Sequence, residues 1–113
     1  MERLSVIVPV LNEAARIGAV LNVLAPMRRR GHEVIVVDGG SRDGTVDLAR
    51  RGADKVLASP RGRSAQMNAG AHAASGNVLL FLHADTLLPA GADQTIAQGL
   101  ASTRRAWGRF DVL

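Results

Sequence analysis

The chain has 113 residues, enough for one compact domain with its own core and too few for two of ordinary size. Hydrophobic residues at 47% and charged residues at 21% exclude a disordered chain, and with only Phe81, Trp107 and Phe110 aromatic there are few platforms on which single-stranded nucleic acid could stack. The net charge of +4, carried by thirteen Arg and one Lys, fits phosphate-bearing partners and leaves association with a membrane surface open, while nucleic acid is set aside.

Leu4 to Val10 is a continuous aliphatic run, the pattern of a strand buried on both faces. Asn12 then offers an N-cap for a helix with Ile17, Val20, Leu21 and Leu24 on one face, and Pro26 with Arg28, Arg29 and Arg30 marks its end. Glu33 to Asp38 repeats the buried-strand pattern and breaks at Gly39 and Gly40. Asp43 is placed to cap a short helix through Val46 and Ala49 to Arg51, which Gly52 ends. A weaker strand at Lys55 to Ala58 leads to the loop around Arg61, Gly62 and Arg63, and an alanine-rich helix runs from about Ser64 to Ala74, closed by Gly76. Val78 to Leu82 is the fourth strand, residues 90–102 look helical, and residues 106–113 begin another strand.

Strands alternating with helices predict an α/β fold, a Rossmann-like and mostly parallel sheet with helices on both faces. Ligands of such sheets lie outside the carboxyl ends of the strands, and the residues there are polar: Asn12 and Glu13 after the first strand, Asp38 after the second, His83 and Asp85 after the fourth. Singly, each has an ordinary explanation as a cap or turn residue. Local turns do not require strand ends to agree, so the shared placement points to a site. A carboxylate and an imidazole at Asp85 and His83 could hold a divalent cation, with phosphate oxygens and water completing its shell. Arg28 to Arg30 and Arg50 to Arg51 fit helix C-termini, where cations meet the negative dipole end, whereas Arg61 and Arg63 stand in a loop with no such explanation. Gly39 to Gly44 has neither the glycine spacing of a dinucleotide fingerprint nor the Lys-Ser/Thr ending of a P-loop. His32 and His72 have no obvious partners at metal-ligand spacing and are read as surface or helix-face residues.

Ser5-Val6-Ile7-Val8-Pro9-Val10-Leu11-Asn12-Glu13 resembles the opening S-V-I-V-P-x-x-N-E of family 2 glycosyltransferases. Val36 to Thr45 is similar to that family's V-D-D-G-S-x-D-G-T, Gly62 to Gly70 to its G-x-x-x-A-x-N-x-G, and Phe81 to Asp85 falls where it carries D-x-D. The resemblance implies a GT-A fold and a nucleoside-diphosphate-sugar donor, a UDP-sugar by preference, with Mn²⁺ or Mg²⁺ on the diphosphate and inversion at the anomeric carbon. It further implies that Pro9, Asn12, Glu13 and Asp38 line the nucleoside pocket. By the same resemblance Arg63 faces the base or the phosphates, Asn68 lies in the binding segment, and Asp85, with His83, holds the metal. Gly39 stands where the family has a second Asp, and His83 where it has the first Asp of D-x-D, as in bacterial relatives with an H-A-D-T version.

Residues 1–113 are expected to form the nucleotide-sugar-binding part of a glycosyltransferase domain. The acceptor-binding half, and with it the acceptor's identity and the catalytic base, is expected beyond them. A chain cut within a sheet is expected to self-associate as a homo-oligomer and to transfer no sugar alone. Rival readings are a nucleotidyltransferase, which needs a Gly-rich, Lys- or Arg-bearing loop after its first strand where Asn12-Glu13 stands, and a non-catalytic nucleotide-binding or interaction module. The absence of Cys suits a reducing compartment, no apolar run approaches the ~20 residues of a membrane span, and the amino terminus lacks the apolar stretch of a signal peptide, so a cytoplasmic location is expected.

Overall fold

The computed structural model describes residues 3–84 and the strand 107–109. Along the chain run β1 (Leu4–Val10), α1 (Ala14–Arg29), β2 (Glu33–Asp38), α2 (Thr45–Ala49), β3 (Lys55–Ala58), α3 (Arg63–Ala73), β4 (Val78–Phe81) and β5 (Trp107–Arg109). The expected helix over residues 90–102 lies outside the described residues, and of the expected strand over residues 106–113 only β5 is described. Every strand pair is parallel, in the order β3-β2-β1-β4-β5.

That order follows from burial. In β1 and β2 every residue except the half-buried Pro9 is buried, so both strands must be covered on both faces and can only be central. On one face, α1 packs Ile17, Val20, Leu21, Leu24 and Met27 against Leu4, Val6, Val8, Val34, Val36 and Leu80. On the other, Met67, Ala69 and Ala73 of α3 cover Ile7, Ile35, Val37 and Phe81. No helix among the described residues is long and apolar enough to cross a membrane.

Local expectations needed correction where tertiary contacts overrule them. Pro26 lies inside α1, with Met27 packed in the core at 4% exposed, and the helix ends in the arginine cluster at Arg29, as expected. Asn12 is not a cap: Glu13 occupies the N-cap position without a side-chain bond, and Asn12 takes the left-handed conformation at φ 54°. Helix α2 is shorter than expected, and Gly44 takes its N-cap position. Arg63 opens α3 instead of standing in the preceding loop.

Gly70 sets the distance between α3 and the sheet. A Cβ there would lie 2.4 Å from Cγ2 of Ile7, whose side chain is fully buried beneath it. Gly→Ala ordinarily favours a helix by up to ~1 kcal/mol, whereas forcing a methyl into a packed core costs ~1–3 kcal/mol. Gly70→Ala is therefore expected to destabilise the fold by about 1–2 kcal/mol. A urea midpoint equal to or above wild type would contradict this packing.

Candidate functional site

Sheet order reverses beside β1. The chain proceeds from β1 outward to β2 and β3, then crosses back to place β4 on the other side of β1. Connections leave such a point in opposite directions and open a crevice at the carboxyl edge, where residues following β1, β2 and β4 converge.

The loops after β1 and β2 are laced together at that edge. The Asn12 N–H donates to Ser41 Oγ (2.7 Å), and Asn12 Oδ1 accepts from the Arg42 N–H (2.8 Å). The Glu13 N–H donates to Thr45 Oγ1 (2.9 Å), and the Ala14 N–H donates to Asp43 Oδ2 (3.2 Å). Asp43 Oδ1 accepts from the N–H and hydroxyl of Thr45, so one carboxylate serves the first residues of both α1 and α2. The Thr45 hydroxyl, helped by the N–H groups of Thr45 and Ala14, holds the Asp43 carboxyl below the ordinary carboxylate range. Asn is among the few non-glycine residues that enter the left-handed region readily, which is what lets the backbone at residue 12 turn while its amide bonds across the loop. The Glu13 side chain meets Arg16 at 3.5 Å on the rim.

Asp38 ends β2 and is 6% exposed. Its Oδ2 accepts from the N–H groups of Gly40 and Ser41, both at 3.0 Å, which is the turn chemistry expected of Asp before two glycines. Its Oδ1 is buried and has no hydrogen-bond partner among the described residues. A buried carboxylate oxygen without a donor is costly and rare, and it marks a place where a donor from outside would be stabilising.

On the β4 side of the crevice, Pro9, Arg63, Met67, Phe81, Leu82 and His83 line a cavity of about 60 Å³. Arg63 Nη2 lies 2.7 Å from Nε2 and 3.3 Å from Nδ1 of His83, so the imidazole faces a guanidinium. A cation in the first turn of α3 opposes the helix dipole, and the fold tolerates it at the mouth of the crevice. Asn68 is on the exposed side of α3, and Asp85 lies outside the described residues. The described residues contain no cluster of three or more His, Asp or Glu able to hold a metal ion. A larger cavity, about 310 Å³, opens between α1 and α2, but its only charged lining residues are Arg28 and Arg51, and Arg28 is already bound to Asp54 and the Gly52 carbonyl. The polar groups able to orient a ligand gather at the crevice instead.

Sequence reasoning missed Gln66. Its side chain is 6% exposed, and Nε2 donates to the carbonyls of Val10 and Val37, both at 2.9 Å. The signal available was a polar residue four positions before a glycine on the apolar side of a helix rich in small residues, and both Gln66 and Gly70 are buried. His32 is no free surface residue either, because Nδ1 accepts from the Leu4 N–H at 3.0 Å.

A parallel doubly wound sheet with polar groups at the switch-point crevice places the chain in the class of α/β folds whose ligands lie at the carboxyl edge of the sheet. The sequence pattern of glycosyl transferase family 2 matches residues 5–112, and the chain belongs to that family. It is 37% identical over 90 residues to Glycosyltransferase AglE of Haloferax volcanii, an alignment covering 72% of this chain and 30% of that protein. It is 38% identical over 99 residues to the dolichyl-phosphate beta-glucosyltransferase of Drosophila melanogaster, covering 73% and 30%. Among solved structures it superimposes on glucosyl-3-phosphoglycerate synthase of Mycobacterium tuberculosis in complex with Mn²⁺, UDP and glucosyl-3-phosphoglycerate, with TM-score 0.75, 26% identity, and coverage of 90% of this chain and 40% of that one. The same synthase in complex with Mg²⁺ and UDP superimposes with TM-score 0.74 and 26% identity. The GT-A architecture expected from the sequence is thus shared with these neighbours, and the chain spans about a third of the length of the curated relatives it matches.

Proposed function

We propose that these residues bind the nucleoside-diphosphate-sugar donor, a UDP-sugar by preference, for an inverting glycosyl transfer whose acceptor and catalytic base are supplied from outside residues 1–113. The observation that carries this reading is the buried, unpartnered Oδ1 of Asp38 at the switch-point crevice of a family 2 glycosyl transferase chain. The uracil N3–H or a ribose hydroxyl is a donor of the required kind. Because Oδ1 is shielded from solvent, such a donor reaches it only with a shift of the atoms covering it.

In this reading Pro9, Asn12 and Glu13 line the nucleoside side, and Asn68 belongs to the segment that flanks it. Arg63 turns from His83 toward the diphosphate, where a fixed cation stabilises the charge gathering on the departing nucleotide better than reorienting water does. Arg63 lies against both ring nitrogens of His83 in this structure, so the imidazole becomes available to a cation only once Arg63 has turned, and a role for Mn²⁺ or Mg²⁺ rests on Asp85 with His83. A cation held there would supply further charge neutralisation on the diphosphate.

Calorimetric titration with UDP, GDP and dTDP, each with and without Mn²⁺, tests the reading. UDP is expected to bind most tightly and to gain affinity from Mn²⁺, and Asp85→Ala should abolish that gain. Absence of nucleotide binding, or equal metal-independent binding by wild type and Asp85→Ala, would remove the donor site or the metal role respectively.

A further inference from the structure

Between α3 and the sheet, the buried amide of Gln66 reaches the last turn of backbone before the crevice. The Val10 carbonyl accepts from both Gln66 Nε2 (2.9 Å) and the Gly39 N–H (3.0 Å), while the Val37 carbonyl accepts from the same Nε2 (2.9 Å). These carbonyls belong to paired neighbouring strands, and the residues that follow them are Leu11-Asn12-Glu13 and Asp38-Gly39. One primary amide therefore joins the two strand ends that carry the crevice residues. A side chain at residue 39 would crowd it: a Cβ there would lie 3.0 Å from both Cδ and Oε1 of Gln66 and 3.1 Å from Nε2. Gly39 and Gln66 thus form a complementary pair, the glycine vacating the volume that the amide fills.

We infer that Gln66 is a positioning residue of the nucleotide site, acting through the β1 and β2 ends to fix the carboxylate of Asp38. This rests on the donor-site reading above. A bond to two carbonyls stabilises any fold in which it is buried, so stability loss alone does not separate positioning from support. Affinity measured well below the melting transition does, as does coupling to Asp38.

The test uses Gln66→Met, close in volume to the wild-type residue but without N–H donors, titrated with UDP at a temperature where both proteins are fully folded. The dissociation constant is expected to rise about tenfold, the equivalent of one lost hydrogen bond of ordinary strength. Amide hydrogen exchange should show lost protection at Gly39, Gly40 and Ser41, with protection in the centre of β1 retained. If Gln66 acts through Asp38, a Gln66→Met/Asp38→Asn double variant should bind UDP no more weakly than Asp38→Asn alone. Unchanged affinity in Gln66→Met accompanied by a lower melting temperature would overturn the positioning role while leaving the donor site intact, and fully additive losses in the double variant would overturn action through Asp38. Failure of the wild-type protein to bind UDP would be visible before any variant is made and would overturn the donor-site reading and this inference together.

Discussion

Glu33→Ala should destabilise the fold by about 1–3 kcal/mol at neutral pH, the range for leaving a buried polar partner, here the Ser5 hydroxyl, without its acceptor. The Glu33 side chain, 5% exposed, meets Lys55 Nζ at 3.1 Å. Its Oε1 accepts from the Ser5 hydroxyl (2.8 Å) and the Ser75 N–H (2.9 Å), and its Oε2 accepts from the Ser75 hydroxyl (3.1 Å). Ser5, fully buried, in turn accepts from the Gly76 N–H at 2.8 Å. One carboxylate thereby ties β1, β2, β3 and the segment entering β4 at the edge opposite the crevice. Burial alone would raise its pKa, but the Ser75 N–H, the Ser5 hydroxyl, Lys55 and the Ser75 hydroxyl outweigh that and hold it at about 2, below its ordinary 4.5.

A depressed carboxylate pKa stabilises the folded state above the unfolded value and loses that effect as pH falls toward the folded one. That stabilisation is complete above pH ~5 and is lost progressively as pH falls toward about 2. Urea unfolding at pH 7 and pH 3 checks both statements. Wild type should lose midpoint between the two, Glu33→Gln should lose less, and identical wild-type and Glu33→Ala midpoints at pH 7 would refute the assignment.

The second large effect is expected at Asp38. Asp38→Asn retains a carbonyl oxygen for the Gly40 and Ser41 amides, so the turn should survive, while an N–H₂ replaces the unpartnered Oδ1. A uracil N–H would then meet a donor instead of a carboxylate acceptor, and a ribose hydroxyl would have to turn and accept from a neutral amide, giving up the charge-assisted bond. Loss of one charge-assisted bond is worth about 1.5–3 kcal/mol, which predicts a roughly 10- to 100-fold weaker UDP affinity with little change in melting temperature. Wild-type affinity in a folded Asp38→Asn protein would show that Asp38 serves only its own turn.

The sheet was legible in the sequence because its central strands are buried on both faces. Uninterrupted aliphatic runs have few other uses, and Leu4–Val10 and Glu33–Asp38 are found with the bounds the runs predict. The carboxyl-edge residues Asn12, Glu13, Asp38 and His83 could be named as a group because strand ends are known once strands are. Their roles were less legible. Asn12 has the composition of a cap, and only the neighbouring loop, which offers Ser41 Oγ and the Arg42 N–H across the crevice, makes it a latch. Arg63 looked unpartnered because its partner, His83, is twenty positions away in sequence.

By itself, then, the sequence determined the element order, the two central strands and the family, since these depend on local periodicity and on short motifs. The tertiary structure alone decided which polar group is satisfied and which is not. Several hydrogen bonds at the crevice join residues far apart in sequence, thirty positions from Asn12 to Arg42 and fifty-six from Gln66 to Val10, and no local pattern encodes such pairings. Whether Gln66 fills a space or Asp38 lacks a donor depends on the volume and direction of neighbours that meet only after the sheet has formed.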